Sequence, residues 1–319
     1  MSLWKRHAGL AYAAVFVGVL GHASSEFVAV LTGVGGPELS VWRFLLGGIG
    51  LVTLSLALPA SRDLLTPLKA CGGRLLVLSV VGVALGYLMF HWSLDYATVP
   101  QVATLMTTIP IFVAIANLLV NKQPISTAKL LSGIAAVLGV ALLVTDGYLA
   151  SLTGGGRELF GIFLALVCTA LVGFYTVMIR PVIAEHGALR ITSLSMFIGG
   201  LALWLLVGLV WGIRVNPLTL FQRPPEQSTA LLTIALWNTT ITQFLWIGGL
   251  AAVPDITRGS YLFFLKPVIA ALLTVLFLQQ SLTWIQVLAI LVIVSAVALE
   301  AAWPRLGAGP VPAANPGGK

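Results

Sequence analysis

Charged side chains are scarce in this sequence. Only 8% of the 319 residues are Asp, Glu, Lys or Arg, whereas 59% are hydrophobic. Soluble globular domains carry about 25% charged residues, so the composition excludes a soluble fold and is typical of a membrane protein. The formal charge of +7 comes from basic residues scattered singly between apolar runs, with no dense patch to follow a phosphate backbone. The lipid bilayer is therefore an expected partner, and nucleic acid is not.

Cysteines and metal-binding motifs are also few. The sequence has two cysteines, Cys71 and Cys168, and neither lies in a CxxC pair. A disulfide framework and a zinc site are therefore not expected, and we interpret both as packing residues. His22 and Glu26, one helical turn apart, are too few ligands to specify a metal site. Because no P-loop is present, ATP is not the expected energy source. The sequence predicts no metal and no cofactor.

Long apolar runs fill most of the chain instead. A helix of about 20 apolar residues crosses a bilayer, and turn-forming segments divide this chain into ten such runs. The predicted spans are residues 8–32, 39–59, 74–94, 98–120, 126–146, 159–180, 190–213, 228–250, 256–278 and 283–303. The first run also has the charged start of a signal peptide, but its apolar pattern continues, so we interpret it as a membrane helix. The fold class predicted is an all-α membrane protein.

The distribution of Lys and Arg predicts the orientation. Twelve of the seventeen basic residues fall on one side of the predicted spans and four on the other, with Lys266 inside the membrane. Positively charged loops are retained in the cytoplasm. Both termini are therefore predicted to be cytoplasmic, and the Pro- and Gly-rich tail at 304–319 is predicted to be a disordered cytoplasmic segment.

Two stretches of the chain align with each other. Residues 107–144 match residues 263–300 when Pro110 is set against Pro267. This match indicates a tandem duplication with five helices in each half. Because five is odd, the second repeat is inverted relative to the first. Inverted repeats are typical of secondary transporters, whose substrate site lies near the midplane between the repeats. The predicted repeats are residues 1–150 and 151–303.

Three segments resemble the EamA family of the drug/metabolite transporter superfamily. WRFLLGGIGL (42–51) is similar to the family's second helix, LMTTIPIFVAIANLLV (105–120) to its fourth and LFFLKPVIAALLTVLFL (262–278) to its ninth. The resemblance implies helices around a central cavity, alternating access and export of a small organic metabolite across a bacterial inner membrane. Amino acids are the best-known class of substrate that it implies.

Lys266 is the most informative single residue. A charge at the centre of a membrane helix costs about 2.5–3.5 kcal/mol on insertion scales, so it faces a partner, a cavity or a ligand. On the functional interpretation Lys266 binds a carboxylate of the solute, and Glu26 attracts an ammonium group. The alternative is a structural ion pair between these two residues. Pro267 removes a helical N–H bond and is a candidate gating residue.

Further candidates lie on polar helix faces at a spacing of one turn. His22 and His91 titrate near neutral pH and are candidates for proton coupling, or are neutral residues satisfied by a neighbour. We interpret Arg43 as an interfacial anchor or a structural pair rather than as a substrate ligand. The predicted substrate-binding residues are Lys266, Glu26, His22, His91, Tyr87, Trp92, Thr108, Gln243, Trp246 and Phe263.

The sequence thus favours a secondary transporter that exports an amino-acid-like solute. Efflux of organic cations or drugs, and uptake of a small carboxylate or amine, are the main alternatives. A channel would need a ring of repeated filter residues, and a membrane enzyme would need a nucleophile with its base or a metal cluster. The sequence shows none of these motifs.

Overall fold

Ten apolar helices make up the part of the chain that the computed structural model describes, which is residues 7–97, 99–148, 155–278 and 281–307. Nine of these helices are long and apolar enough to cross a membrane, and the apolar part of the tenth is shorter. The all-α membrane fold is therefore confirmed. The helices are α1 (Ala8–Leu31), α2 (Gly36–Ala57), α3 (Leu65–Ser93), α4 (Gln101–Asn121), α5 (Thr127–Thr145), α6 (Gly156–His186), α7 (Ala188–Val210), α8 (Pro225–Ala252), α9 (Ile256–Leu273, continuing to Leu278) and α10 (Trp284–Gly307).

Three helix ends differ from the prediction. Helix α3 begins at Leu65 rather than at 74, but its backbone leaves the helical conformation at Cys71 (φ −140°, ψ 24°), so the turns before this kink form a separate short helix. Helix α6 continues to His186 with Pro181 inside it. Val182 and Ile183, directly after this proline, are each 3% exposed and pack in the hydrophobic core, which offsets the lost hydrogen bond. Helix α10 extends to Gly307, so the first residues of the predicted tail are helical, and the tail from 308 onward lies outside the described residues.

Helix pairing follows the inverted repeat. Among the most extensive contacts are those of α2 with α7, α5 with α10, α1 with α8, and α3 with α6. When the two repeats are exchanged, α6 takes the place of α1 and α3 takes the place of α8, so the α1–α8 pair corresponds to the α6–α3 pair. The α2–α7 pair and the α5–α10 pair each correspond to themselves. Each repeat therefore buries its helices against the other repeat, as the two-fold relationship requires.

Glycines allow α2 and α7 to cross closely. A Cβ atom on Gly200 would lie 2.5 Å from the carbonyl oxygen of Phe44, and a Cβ atom on Gly48 would lie 2.7 Å from the Cα of Phe197. Membrane helices associate through such small residues, which bring the backbones together. Gly48 and Gly200 therefore allow α2 and α7 to pack closely.

The crossing of α2 and α7 predicts a large effect for Gly200→Val. The added side chain would force the two backbones apart, and overpacking of this kind costs about 1–3 kcal/mol. We expect a lower melting temperature in detergent. Gly208→Val on the same helix is the matched control, because its Cβ would meet its nearest atom, the carbonyl oxygen of Ile213, at 3.8 Å. Equal melting temperatures for the two variants would contradict the close crossing.

Four helices are irregular at equivalent places in the two repeats. Helix α3 contains a π-helical segment at Ser79–Leu85, and α8 contains one at Leu236–Ile241. Helix α4 is interrupted by a turn at residues 107–108, before its second half begins at Ile109. Helix α9 passes through a 3-10 segment before its second half begins at Lys266. Interrupted helices at membrane depth are typical of transporter binding sites, and π-helical segments are frequent at functional sites.

Candidate functional site

A small cavity lies between the repeats, where the interrupted helices meet. Its volume is about 20 Å³, on a scale on which one water molecule needs about 10–15 Å³. The structure therefore shows a contracted conformation, which must widen to admit a metabolite. Five predicted site residues line the cavity, namely His22, Tyr87, Trp246, Phe263 and Lys266. The remaining lining residues are Ser25, Arg43, Phe90, Met106, Ile109 and Val172.

Lys266 lies where α9 passes from its 3-10 segment into its second half. The helix begins after Asp255, whose side chain accepts a hydrogen bond from the backbone N–H of Arg258. After the 3-10 segment, Lys266 is the first residue of the second half, and Pro267 follows in the first turn, where proline is well tolerated. The lysine side chain is 7% exposed, and its Nζ lies 5.6 Å from the centre of the Phe263 ring. The irregular backbone thus places the cation in the cavity wall.

An aromatic wall faces the lysine. The ring centres of Trp246 and Phe263 are 5.0 Å apart, and the His22 ring lies 5.6 Å from Trp246 and 5.4 Å from Phe263, edge to face with both. The Nε2 atom of His22 is buried and has no hydrogen-bond partner among the described residues. The wall therefore combines an apolar surface with one polar group that a solute can contact.

Arg43 is the cavity residue that sequence reasoning misplaced. Its side chain is 2% exposed and lines the cavity. Its Nε donates to Thr239 Oγ1 and its terminal nitrogen to the Asn238 carbonyl, both at 3.2 Å. The interpretation as an interfacial anchor is wrong, whereas the structural pairing is present. Because α2 begins at Gly36, Arg43 lies two turns inside the helix. The argument applied to Lys266, a charge inside an apolar run, could have found it.

Two predicted residues, His91 and Gln243, lie behind the side chains that line the cavity. His91 is fully buried, and its Nδ1 shares a 2.7 Å hydrogen bond with the Ser40 hydroxyl. Gln243 is also fully buried, and its Nε2 donates to the Tyr87 hydroxyl at 2.8 Å. The structure therefore places His91 between α2 and α3 and makes Gln243 a hydrogen-bond partner of the lining residue Tyr87.

Two further predicted residues lie elsewhere. The Thr108 hydroxyl donates to the Leu105 carbonyl of its own helix at 2.7 Å. Trp92 packs edge to face against Tyr96, Phe160 and Trp211, in an aromatic group away from the cavity. Glu26 has a described helical backbone, but its side chain lies outside the described part of the structure. Its predicted role stays a prediction.

Ion pairs fasten the first turns of α5 and α9 and the end of α10, at the side predicted to be cytoplasmic. Lys129 pairs with Asp255, and Arg258 pairs with Glu300 at 3.1 Å. Partial burial disfavours the charge on Asp255, but hydrogen bonds from Lys129 and from the Arg258 backbone outweigh it and lower the pKa of Asp255 below its usual value. The Tyr261 hydroxyl also donates to the Lys129 carbonyl. We call these four charged residues the basal ion cluster.

Another ion pair joins two elements at the opposite end of the bundle. Arg223, in the connection between α7 and α8, pairs with Glu38 at 2.9 Å. Trp42 donates its indole N–H to the same carboxylate at 3.1 Å, and the Arg223 guanidinium lies 5.0 Å from the centre of the Trp42 ring. Contacts between elements thus tie both ends of the bundle, in agreement with the contracted cavity.

These features define a class of protein. Two inverted repeats of apolar helices, interrupted around a polar cavity, make a multi-pass membrane transporter of small solutes. The chain belongs to the EamA-like transporter family, whose model matches residues 7–145 and 159–300. The resemblance stated from the sequence is therefore confirmed.

Two relatives are similar along much of the chain. An uncharacterized transporter of Clostridium kluyveri is 24% identical over 210 residues, which are 66% of this chain and 66% of that protein. Protein PecM of Dickeya dadantii is 25% identical over 234 residues, which are 70% of this chain and 72% of that protein. The match spans just under two thirds of the Clostridium relative's length.

A solved structure shares the fold. A crystal structure superposes with a TM-score of 0.76 at 17% sequence identity, covering 93% of this chain and 98% of the other. At this identity the likeness concerns the arrangement of the helices and carries no conclusion about the solute.

Proposed function

We propose that the protein is a secondary transporter that exports an amino-acid-like solute bearing a carboxylate, by alternating access across a bacterial inner membrane with both termini in the cytoplasm. The observation that carries this proposal is the cavity between the repeats, in whose wall Lys266 begins a half-helix beside an aromatic surface. The five-helix repeats, residues 1–150 and 151–303, move relative to each other around this site.

The solute's carboxylate binds at Lys266. A charge-assisted hydrogen bond to a buried ammonium is strong, and the positive end of the half-helix dipole adds to it. Trp246, Phe263 and Tyr87 enclose the apolar part of the solute. Glu26, on the next turn of α1 after His22, attracts the ammonium group. The same cavity thereby distinguishes the two ends of a zwitterion.

Access alternates through the two ends of the bundle. The basal ion cluster closes one end and the Arg223–Glu38 pair closes the other. Pro267, in the first turn of the second half of α9, is the candidate gating residue, because it directly follows the 3-10 segment that interrupts the helix. His22, in the cavity wall, is the candidate for a coupling proton.

Organic-cation efflux is the second candidate. The aromatic wall favours it, because rings attract cations. Arg43 and Lys266 in the same wall oppose it, because they repel a cationic solute. The carboxylate assignment is therefore better supported by the lining of the cavity.

A thermal-shift screen tests the proposed solute class. Purified protein in detergent is heated with amino acids, carboxylates, amines and cationic dyes. A ligand present at 100 times its dissociation constant stabilises the folded state by about 2.7 kcal/mol, which raises the melting temperature measurably. We expect amino acids or carboxylates to raise it. Stabilisation by amines and dyes alone would favour cation efflux and overturn the proposal.

A further inference from the structure

Arg43 is a second cation in the cavity wall, and the proposed mechanism does not use it. It belongs to α2 in the first repeat, whereas Lys266 belongs to α9 in the second. The two side chains are 2% and 7% exposed and line the same small cavity. An anionic group of a solute that lies between two cations is attracted by both of them.

The π-helical segment of α8 holds the Arg43 guanidinium in place. The Thr239 hydroxyl accepts from Arg43 Nε while donating to the Ile234 carbonyl at 2.9 Å, so its orientation is fixed. The Asn238 carbonyl accepts from a terminal nitrogen. The guanidinium also lies 5.8 Å from the centre of the Tyr87 ring. A guanidinium held on several sides loses little freedom when it binds a ligand, which favours affinity.

Two further groups in the wall suit an anion. The half-helix that begins at Ile109 has no side-chain cap, because the Thr108 hydroxyl donates to Leu105 instead. The positive end of its dipole lies at Ile109, which lines the cavity. His22 adds a buried Nε2 without a partner among the described residues.

We propose that Arg43 and Lys266 bind the solute's carboxylate together, one from each repeat. Arg43 is then a specificity-determining residue of the site. The bound carboxylate bridges α2 and α9 and draws the repeats together around it. The site takes a carboxylate, with or without an ammonium group elsewhere in the solute, and rejects the matching amide. This inference rests on the proposed function and extends it to a residue outside the predicted site.

Matched acid and amide probes test this inference. The first pair is 3-phenylpropionate and 3-phenylpropanamide, which lack an ammonium group. The second pair is L-phenylalanine and L-phenylalaninamide. Binding is measured by calorimetry on wild type, Arg43→Gln, Arg43→Lys, Lys266→Gln and Thr239→Val, and the readout is the ratio of the amide to the acid dissociation constant. A ratio corrects for general loss of affinity, which a merely structural role for Arg43 would cause for both probes alike.

The wild type should prefer the acid, and Arg43→Gln should lower that preference about 10- to 100-fold, the size expected for one charge-assisted hydrogen bond. Lys266→Gln should lower it similarly. Thr239→Val retains both cations and should retain most of the preference. If Arg43→Gln does not fold, Arg43→Lys should show a smaller decrease, because it keeps the charge without the planar fork.

Two results would overturn the inference in different ways. An unchanged preference in both Arg43 variants, with a lost preference in Lys266→Gln, would leave the carboxylate to Lys266 alone and leave the proposed function standing. Absence of acid preference in the wild type would overturn the proposed solute class together with the inference.

Discussion

Replacing Lys266 with alanine is expected to abolish transport while the protein remains inserted and folded. The change removes a buried cation from the cavity wall and with it the bond to the carboxylate. A hydrogen bond to a charged group contributes about 1.5–3 kcal/mol, equivalent to roughly a 10- to 100-fold loss of affinity. The effect on folding is smaller, because Pro267 and the start of the half-helix remain. The measurement is saturable uptake into proteoliposomes, together with the melting temperature of the variant.

Two replacements separate charge from size at this position. Lys266→Met keeps the length of the side chain without the charge, whereas Lys266→Arg keeps the charge. Transport should be lost in the first and partly retained in the second. A structural ion pair would instead lower expression or melting temperature in the methionine variant in proportion to the lost transport. Normal transport by Lys266→Ala would exclude the binding role.

The second large effect is expected from Arg258→Gln in the basal ion cluster. The Glu300 side chain is 3% exposed, and both of its oxygens accept from Arg258 Nε, at 3.1 and 3.2 Å. Arg258 itself is 28% exposed. Its removal leaves the buried Glu300 carboxylate without its partner, at a cost below the roughly 3–5 kcal/mol of a fully buried pair. We expect a melting temperature lower by several degrees. The ion pair that holds α9 against α10 is also lost.

A double variant distinguishes the ion pair from simple loss of packing. Arg258→Gln combined with Glu300→Gln removes both charges and should recover much of the stability. No recovery would contradict the assignment of the effect to a buried charge. Lys129→Gln is the milder comparison, because the Asp255 carboxylate that it leaves unpaired is 29% exposed, whereas the Glu300 carboxylate is 3% exposed. Water compensates an exposed charge.

The pH range in which the Lys129–Asp255 pair stabilises the fold follows from the direction in which the pKa of Asp255 is shifted. Its pKa is lowered in the folded protein, through hydrogen bonds that outweigh the effect of partial burial. The stabilising contribution is therefore fully present above the unfolded value of about 3.9 and is lost as the pH falls through the folded pKa. At neutral pH the Asp255 carboxylate is therefore ionised.

Hydropathy and the internal repeat predicted the helices well, because a membrane segment must satisfy its backbone within itself and therefore shows as one apolar run. The helix ends were less predictable. The predicted start of α3 lies just beyond the kink at Cys71, and the predicted end of α6 lies just before Pro181, where burial of Val182 and Ile183 keeps the helix continuous. These outcomes depend on neighbouring helices, which a local pattern does not contain.

The cavity was partly predictable for the same reason. Lys266 stood out because a charge in an apolar run needs an explanation. Phe263, one turn before it on α9, and His22 on α1 line the cavity with it. His91 lies one turn after Tyr87 in α3, but its ring bonds the Ser40 hydroxyl on α2. Arg43 was missed because the predicted span placed it near a helix end.

The most direct test of a carrier with a central site is solute counterflow in proteoliposomes, with no ATP and no ion gradient. The radiolabelled solute is the acid that gives the largest thermal shift. A carrier with one alternating site should accumulate label transiently when the vesicles are preloaded with unlabelled solute, and uptake should saturate. Flux that rises linearly with concentration and ignores internal solute would contradict alternating access and indicate an open pathway through the helices.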